Sequence, residues 1–128
     1  MSNYLSLTGE VVFNHISEPD NFRGDPKYKI TIALDKDGLK TAKAAGLRID
    51  DYKGVKQFTT KRKVDFGQPK VYNADKVEVG ANHLSLFGDK VTVQVKQGDG
   101  EWSEYAYLEK VRVEEKAAGA GDFDPAEF

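Results

Sequence analysis

A basic segment in the middle of the chain combines cations with an aromatic ring. It covers residues 56–63 and reads KQFTTKRK. Side chains of an extended strand alternate between two faces, so Lys56, Phe58 and Arg62 would share one face with Thr60 between them. Cations neutralise phosphates and rings stack on bases of any identity, and a bound single nucleic-acid strand needs both. The alternative is that Phe58 is a core residue and the lysines form a solvated face.

Other stretches mix rings and cations in the same way. The lysines at 27 and 29 face away from the apolar side of a strand, whereas Tyr28 is in register with that side and is expected in the core. Rings in the irregular stretch 65–74 are binding candidates because a loop does not need them for packing. Trp102, Tyr105 and Tyr107 cluster on the last predicted strand. Tyr105 and Tyr107 share one strand face and Trp102 lies on the other. At least one of these two faces is expected in the core, and the sequence does not say which. The candidate nucleic-acid-binding residues are Arg23, Lys27, Lys29, Lys56, Phe58, Lys61, Arg62, Lys63, Phe66, Lys70, Tyr72, Trp102, Tyr105 and Tyr107.

Groups that could perform catalysis or bind a metal are few. The chain has no cysteine, and neither His15 nor His83 has the spacing to carboxylates that marks a metal site. Gly98-Asp99-Gly100 is better explained by a hairpin turn than by phosphate binding. We expect no catalytic residue, no metal and no cofactor, and a small nuclease or hydrolase is the least favoured class.

The end of the chain differs from the rest in charge. All 19 basic residues lie in residues 1–116 together with 18 of the 21 acidic ones. The only charged residues among the last twelve are the three remaining acids. The expected partner-binding residues of this tail are Asp122, Phe123, Asp124, Glu127 and Phe128. Its carboxylates would compete with nucleic acid for a basic groove, and its terminal ring would dock on a protein partner. The alternative is a simple solubility tail.

Period-two patterns dominate the chain and predict strands. We predict them at residues 4–16, 27–34, 55–64, 90–96 and 102–113, with a helix at 35–46 and a hairpin turn at 97–100. Leu5, Leu7, Val11 and Phe13 are predicted on one face of the first strand, with Gly9 as a bulge or bend. The prediction is a mainly β fold: a single five-stranded OB-fold barrel over residues 1–115, with one short helix and a disordered acidic tail at 116–128.

Cellular location is constrained only weakly. No apolar run approaches the length of a membrane span, and the N-terminus lacks a basic region followed by an apolar block. The absence of cysteine excludes disulfides. We therefore expect a cytoplasmic protein with no membrane partner.

Several elements resemble one known family when they are taken in order along the chain. They are the strand Gly9–Phe13 followed by Glu18-Pro19-Asp20, the segment Lys27–Ile30, a short helix, the basic segment, a turn at Gly80, the segments 90–96 and 105–113, and a tail ending in Phe128. This order resembles the phage-encoded single-stranded DNA-binding proteins that have an OB fold and an acidic tail. The tail here has three acids, fewer than is typical of that family.

The resemblance implies a function and partners. It implies sequence-independent binding of single-stranded DNA in replication, recombination or repair, in the host-cell cytoplasm, by a monomer or homodimer. It also implies tail contacts with a DNA polymerase or helicase. The alternative is a protein-interaction or virion-structural barrel that binds no nucleic acid, which the nearly neutral charge of residues 1–116 favours.

Overall fold

Five strands of this protein close into a ring. A computed structural model describes residues 4–20, 24, 26–80, 84 and 88–116. The strands are β1 Tyr4–Asp20, β2 Lys27–Leu34, β3 Asp50–Tyr52, β4 Val55–Lys63, β5 Lys70–Tyr72, β6 Lys90–Gln97 and β7 Ala106–Glu115, and the helix α1 is Lys36–Ala45. The sheet has the order β3-β4-β2-β1-β6-β7-β5, and a further pairing of β4 with β7 closes the ring. The predicted mainly β fold with an OB-type barrel of five strands and one short helix is confirmed.

The strands of the ring are staggered, as a closed barrel requires. From β1 the pairing runs through Tyr4, Lys96 on β6, Tyr107 on β7, Lys61 on β4 and Lys29 on β2, and returns to β1 at His15. The return point lies eleven residues beyond the start along the same strand. These paired positions form a continuous band around the outside of the barrel, and we call them the outer band.

Alternating side chains fill the inside of the ring. Val91, Val93 and Val95 on β6 are fully buried. They pack with apolar residues from the other strands, which are Leu7, Val11, Ile16, Ile30, Ile32, Phe58, Val71, Leu108, Val111 and Val113. Burial of this apolar surface is the main force that holds the barrel together.

The buried face of β1 changes part-way along the strand. The register slips between Val11 and Phe13, which leaves Val12 as an extra residue. A bulge of this kind reverses the alternation, so Asn14 and Ile16 are buried beyond it. The prediction that Phe13 continues the apolar face is therefore wrong, because its ring lies on the outside of the barrel.

Helix α1 has the ends that the sequence predicts. The Asp35 side chain accepts a hydrogen bond of 2.7 Å from the Gly38 N–H at the start of the helix. Gly46 ends it in a left-handed conformation with φ of 76°. Ala42 is buried against the sheet, and Leu39 and Ala45 are half-buried. The helix packs against β1 and β2.

Two glycines permit a close approach between backbones. A Cβ atom at Gly9 would collide with the carbonyl oxygen of Ala33, and one at Gly38 would collide with that of Thr8. Gly9 itself stays in register with both neighbouring strands, so the bulge predicted there lies instead further along β1. The second glycine lets α1 lie directly on the backbone of β1.

Several segments differ from the predictions. Strand β1 extends to Asp20 rather than ending at residue 16, and β3 lies where no strand was predicted. The stretch predicted as irregular contains β5, which pairs in parallel with β7 and buries Val71. The last strand begins at Ala106 rather than at Trp102, because residues 100–102 form a 3-10 turn. The loop 98–105 therefore replaces the predicted hairpin turn, and the Gly98 N–H closes it with a 2.9 Å bond to the Tyr105 carbonyl.

Candidate nucleic-acid interface

A groove crosses the outer face of β1, β2 and β4 and reaches the start of β7. Its volume is about 560 Å³. Its lining consists of Phe13, Lys29, Thr31, Arg48, Asp50, Gln57, Phe58, Thr59, Lys61, Glu104, Tyr105, Ala106 and Tyr107. Cations, rings and hydroxyl groups come together here because neighbouring strands contribute different residue types at adjacent positions. We call this surface the groove.

Lysines face each other in pairs across β2 and β4. Lys29 is the register partner of Lys61, and Lys27 is the partner of Lys63. Directly opposed residues lie about 5 Å apart, and like charges in that position destabilise a sheet. In the part of the chain that the structure describes, no acid forms an ion pair with Lys61 or Lys63. This cluster is therefore suited to bind phosphate groups.

Aromatic rings lie on both sides of the lysine cluster. On β1 the rings of Phe13 and His15 meet edge to face with centroids 5.6 Å apart, and the Lys29 ammonium lies 5.2 Å from the Phe13 centroid. On the other side Tyr107 is the β7 neighbour of Lys61 and is 50% exposed. Tyr105 is 38% exposed. Exposed rings beside cations offer stacking surfaces for bases.

Small polar side chains form the floor between the rings. The hydroxyls of Thr31 and Thr59 share a hydrogen bond of 2.8 Å across β2 and β4. Gln57 continues this polar row along β4. Because threonine is short, the floor lies below the level of the lysine and tyrosine side chains, and a strand of nucleic acid can lie between them.

Arg48 adds a cation at the end of the groove nearest α1. Its backbone N–H donates to the Glu104 carbonyl at 2.7 Å, which fixes the segment after the helix to the loop before β7. A hydrogen bond with the Tyr105 side chain and then the charge of Asp50 hold the Arg48 pKa above its usual value. The carboxylates of Asp50 and Glu104 also line this end, so the positive charge of the groove is concentrated at the lysines.

The groove contains only part of the predicted set of binding residues. Lys29, Phe58, Lys61, Tyr105 and Tyr107 line it. The lysine pair formed by Lys27 and Lys63 extends the same outer face by one step along the strands. The basic segment 56–63 thus reaches the groove mainly through Gln57, Thr59 and Lys61, which lie on the strand face opposite to Phe58.

The predicted first face of the basic segment points into the barrel. Phe58 is only 2% exposed and Thr60 is buried, so the alternative reading of Phe58 as a core residue is correct and its ring cannot stack on a base. The Arg62 guanidinium donates to the carbonyls of Phe66, Gly67 and Leu108, which gives it a structural role.

Lys56 is also separate from the groove. Its ammonium is paired with the Asp51 carboxylate across the β3–β4 hairpin. That hydrogen bond, with a second one from the Gly54 N–H, lowers the pKa of Asp51. Both partners are exposed, so this pair contributes little to stability.

Three further predicted residues lie on another face of the barrel. Lys70 and Tyr72 belong to β5, and Phe66 precedes it with its ring 67% exposed. They line clefts that contain neither Lys29 nor Lys61. The structure therefore separates these residues from the groove.

The remaining predicted residues lie either outside the described residues or in the turn before β7. Arg23 and the tail residues Asp122, Phe123, Asp124, Glu127 and Phe128 lie outside the described residues. The backbone of Trp102 belongs to the 3-10 turn before β7 rather than to a strand.

Phe13, His15 and Arg48 belong to this region although the sequence did not mark them. In a regular strand Phe13 would lie on the same face as the core residue Val11, and only the bulge at Val12 turns it outward. The same bulge turns His15 outward. Arg48 comes from the segment after α1, which no strand pattern relates to β4.

The described residues show the features of neither a metal site nor a membrane-spanning helix. Nowhere in it do three or more histidine, aspartate or glutamate side chains come together as metal ligands. The same residues include no helix with the length and apolar character of a membrane span.

The fold matches that of solved structures. The single-stranded DNA-binding protein from bacteriophage Enc34 aligns with a TM-score of 0.64 at 17% identity, over 98% of this chain and 89% of that one. Bacteriophage T7 gp2.5, also a single-stranded DNA-binding protein, aligns with a TM-score of 0.67 at 12% identity, over 100% and 98% of the two chains. The fold is that of phage single-stranded DNA-binding proteins.

The phage proteins are similar in fold rather than in sequence. The Enc34 protein has also been solved in complex with single-stranded DNA, and that structure aligns with a TM-score of 0.64 at 15% identity, over 89% of this chain and 87% of that one. No family model and no curated protein sequence matches this chain. At these identities the likeness establishes the architecture alone.

Proposed function

We propose that this protein binds single-stranded DNA without regard to base sequence and holds it in the groove. The observation that carries the proposal is the position of Lys29 and Lys61 between Phe13 on one side and Tyr107 on the other. The ammonium groups would bind phosphates, and each stacked base would contribute about 1–3 kcal/mol. The shared fold with phage proteins that bind single-stranded DNA supports this assignment.

The proposed biological role is the protection of single-stranded DNA during phage replication, recombination or repair, in the host-cell cytoplasm. The acidic residues 117–128, which end in Phe128, would recruit a DNA polymerase or helicase. This part of the proposal is supported by the sequence alone, through the charge difference between the tail and the rest of the chain and through the family resemblance.

A charge-removal variant of the groove tests the DNA-binding proposal. Lys29→Ala combined with Lys61→Ala should weaken binding to oligothymidylate and reduce the slope of log K against log salt by about 1.4, since each lost contact to a single strand removes about 0.7. Quenching of intrinsic fluorescence at several salt concentrations measures both quantities. Lys40→Ala combined with Lys43→Ala, on the exposed side of α1, is the matched control and should bind as the unaltered protein does.

Three results would argue against the proposal. The first is an unaltered protein that fails to bind oligothymidylate at low salt, even after removal of residues 117–128. The second is preferred binding of duplex DNA. The third is a stable complex with a protein partner that is insensitive to added DNA, which would favour the alternative of a protein-interaction or virion-structural barrel.

A further inference from the structure

A second basic face lies on the other side of the barrel. It consists of the outer surfaces of β5, β7, β6 and the first half of β1, where the register places Lys70 beside Lys110 and Lys110 beside Gln94. Two adjoining clefts of about 410 Å³ each occupy this surface and share Tyr72, Gln94 and Lys110. We call it the second face.

The second face carries an excess of positive charge. The Arg62 guanidinium lies 3.8 Å from Glu109, and Arg112 is paired with Glu114. For Glu114, burial raises the pKa, but the hydrogen bonds from Arg112 and Thr92 outweigh burial and lower it, so this acid stays ionised and paired. The remaining cations, Lys70, Lys76, Lys96 and Lys110, form no ion pair with an acid among the described residues.

The rest of the surface also suits a phosphodiester chain. The Lys110 ammonium lies 5.8 Å from the centroid of the Tyr72 ring, which repeats the combination of cation and ring seen in the groove. Thr8 and Thr92 share a hydrogen bond of 2.9 Å and add hydroxyl groups to the middle of the face. Glu78 is the backbone bridge partner of Tyr72, so one acid adjoins this end of the face.

The outer band connects the second face to the groove. Tyr107 lines the groove beside Lys61, its neighbour on β6 is Lys96, and the neighbour of Lys96 on β1 is Tyr4. Tyr4 is 45% exposed and lines the cleft that contains Lys70. The three steps between strands cover about 15 Å. Rings and cations alternate along the whole distance.

We propose that a single strand of DNA leaving the groove crosses the outer band at Tyr107, Lys96 and Tyr4 and continues onto the second face. Its phosphates there contact Lys70 and Lys110. The inference rests on the proposed function and extends it, because the protein then covers two connected segments of one strand. An acidic peptide would also be attracted to lysines, but continuity with the groove and the repeated rings favour nucleic acid.

The experiment compares two charge-removal variants on oligonucleotides of two lengths. Oligothymidylates of about 6 and about 16 nucleotides lie within the 4–16 nucleotides that one OB fold covers. Lys70→Ala combined with Lys110→Ala should leave affinity for the short strand unchanged. Its affinity for the long strand should fall several-fold, with a salt slope reduced by about 1.4. Protein is kept limiting, so that each oligonucleotide carries one molecule.

The groove variant makes the two proposals separable. Lys29→Ala combined with Lys61→Ala should lose affinity for both lengths, whereas the α1 variant Lys40→Ala with Lys43→Ala should lose none. If the second-face variant binds the long strand as the unaltered protein does, the inference is overturned and the proposed function stands. An equal change at both lengths also overturns it, since the lysines would then act on the groove strand or on the acidic tail. If no form binds either strand, the proposed function itself fails.

Discussion

At the residue scale, Phe58 and Tyr107 show how burial decides between two uses of an aromatic ring. Both were predicted as candidates for stacking on bases. Phe58 faces the inside of the barrel among apolar residues, while Tyr107 faces outward next to Lys61. The first ring therefore contributes to folding, and the second is available to a ligand.

Replacement of Tyr107 should affect binding without affecting folding. Tyr107→Ala removes an exposed ring, so we expect the affinity for oligothymidylate to fall by about 1–3 kcal/mol, as for other stacked bases. Fluorescence titration measures the change, and thermal unfolding should be nearly unaltered. Tyr52→Ala, an exposed ring on β3 outside the groove, is the control. Equal affinities of the Tyr107 and Tyr52 variants would contradict the account.

Replacement of Phe58 should have the opposite signature. Phe58→Ala leaves a cavity in the core, and such changes cost about 3–5 kcal/mol of folding free energy. Urea unfolding measures that loss. Phe58→Leu keeps most of the apolar volume and should recover a large part of it. Normal stability of Phe58→Ala together with weak DNA binding would show that the ring is not a core residue.

At the element scale, period-two alternation predicts a strand well but does not say which of its faces is inside. The predicted bounds of β2 are those of the structure, and β6 differs by one residue, because valine, isoleucine and lysine alternate cleanly there. In β4 both faces carry cations, so only the packed barrel shows that Phe58 and Thr60 point inward. β5 was missed because three residues are too few to show a period.

The bulge in β1 limits sequence analysis in a different way. One extra residue at Val12 reverses every later side chain, and no sequence pattern marks it. It turns Phe13 and His15 to the outside of the barrel, and Phe13 lines the groove. The position of that ring therefore depends on a local irregularity that alternation alone cannot reveal.

The contact between α1 and β1 depends on a residue without a side chain. Gly38→Ala places a methyl group against the Thr8 backbone, and overpacking of this kind typically costs about 1–3 kcal/mol. In an exposed helix, alanine would instead stabilise by up to about 1 kcal/mol relative to glycine. Urea unfolding shows whether Gly38→Ala raises or lowers the free energy of unfolding, with Lys40→Ala on the same helix as control. A more stable Gly38→Ala protein would show that the helix does not lie this close to the strand.

At the scale of the whole molecule, charge is distributed unevenly. Residues 1–116 are nearly neutral overall, yet the barrel brings lysines together in the groove and on the second face, whereas the only charged residues among the last twelve are three acids. Net charge therefore says little about this protein, and the closed ring decides which lysines become neighbours. The sequence established the tail's charge, and the structure was needed to locate the surfaces it would compete for.

Removal of the acidic tail should strengthen binding at low salt. Deletion of residues 117–128 removes three carboxylates that would otherwise compete with phosphates for the lysines. The gain should disappear as salt rises, because the Debye length falls from about 30 Å at 0.01 M to about 3 Å at 1 M. Fluorescence titration measures it. Asp122→Asn, Asp124→Asn and Glu127→Gln together keep the chain length and should reproduce the effect. An unchanged affinity in both proteins would show that the tail does not compete with DNA for the lysines.

The most direct measurement of the central claim is a map of backbone amide chemical shifts on addition of a short oligothymidylate to the isotope-labelled protein. If DNA lies in the groove, the largest changes are expected at Phe13, Lys29, Lys61 and residues 105–107, with little change along α1. Changes concentrated on α1 or on β3, with these positions silent, would contradict the claim.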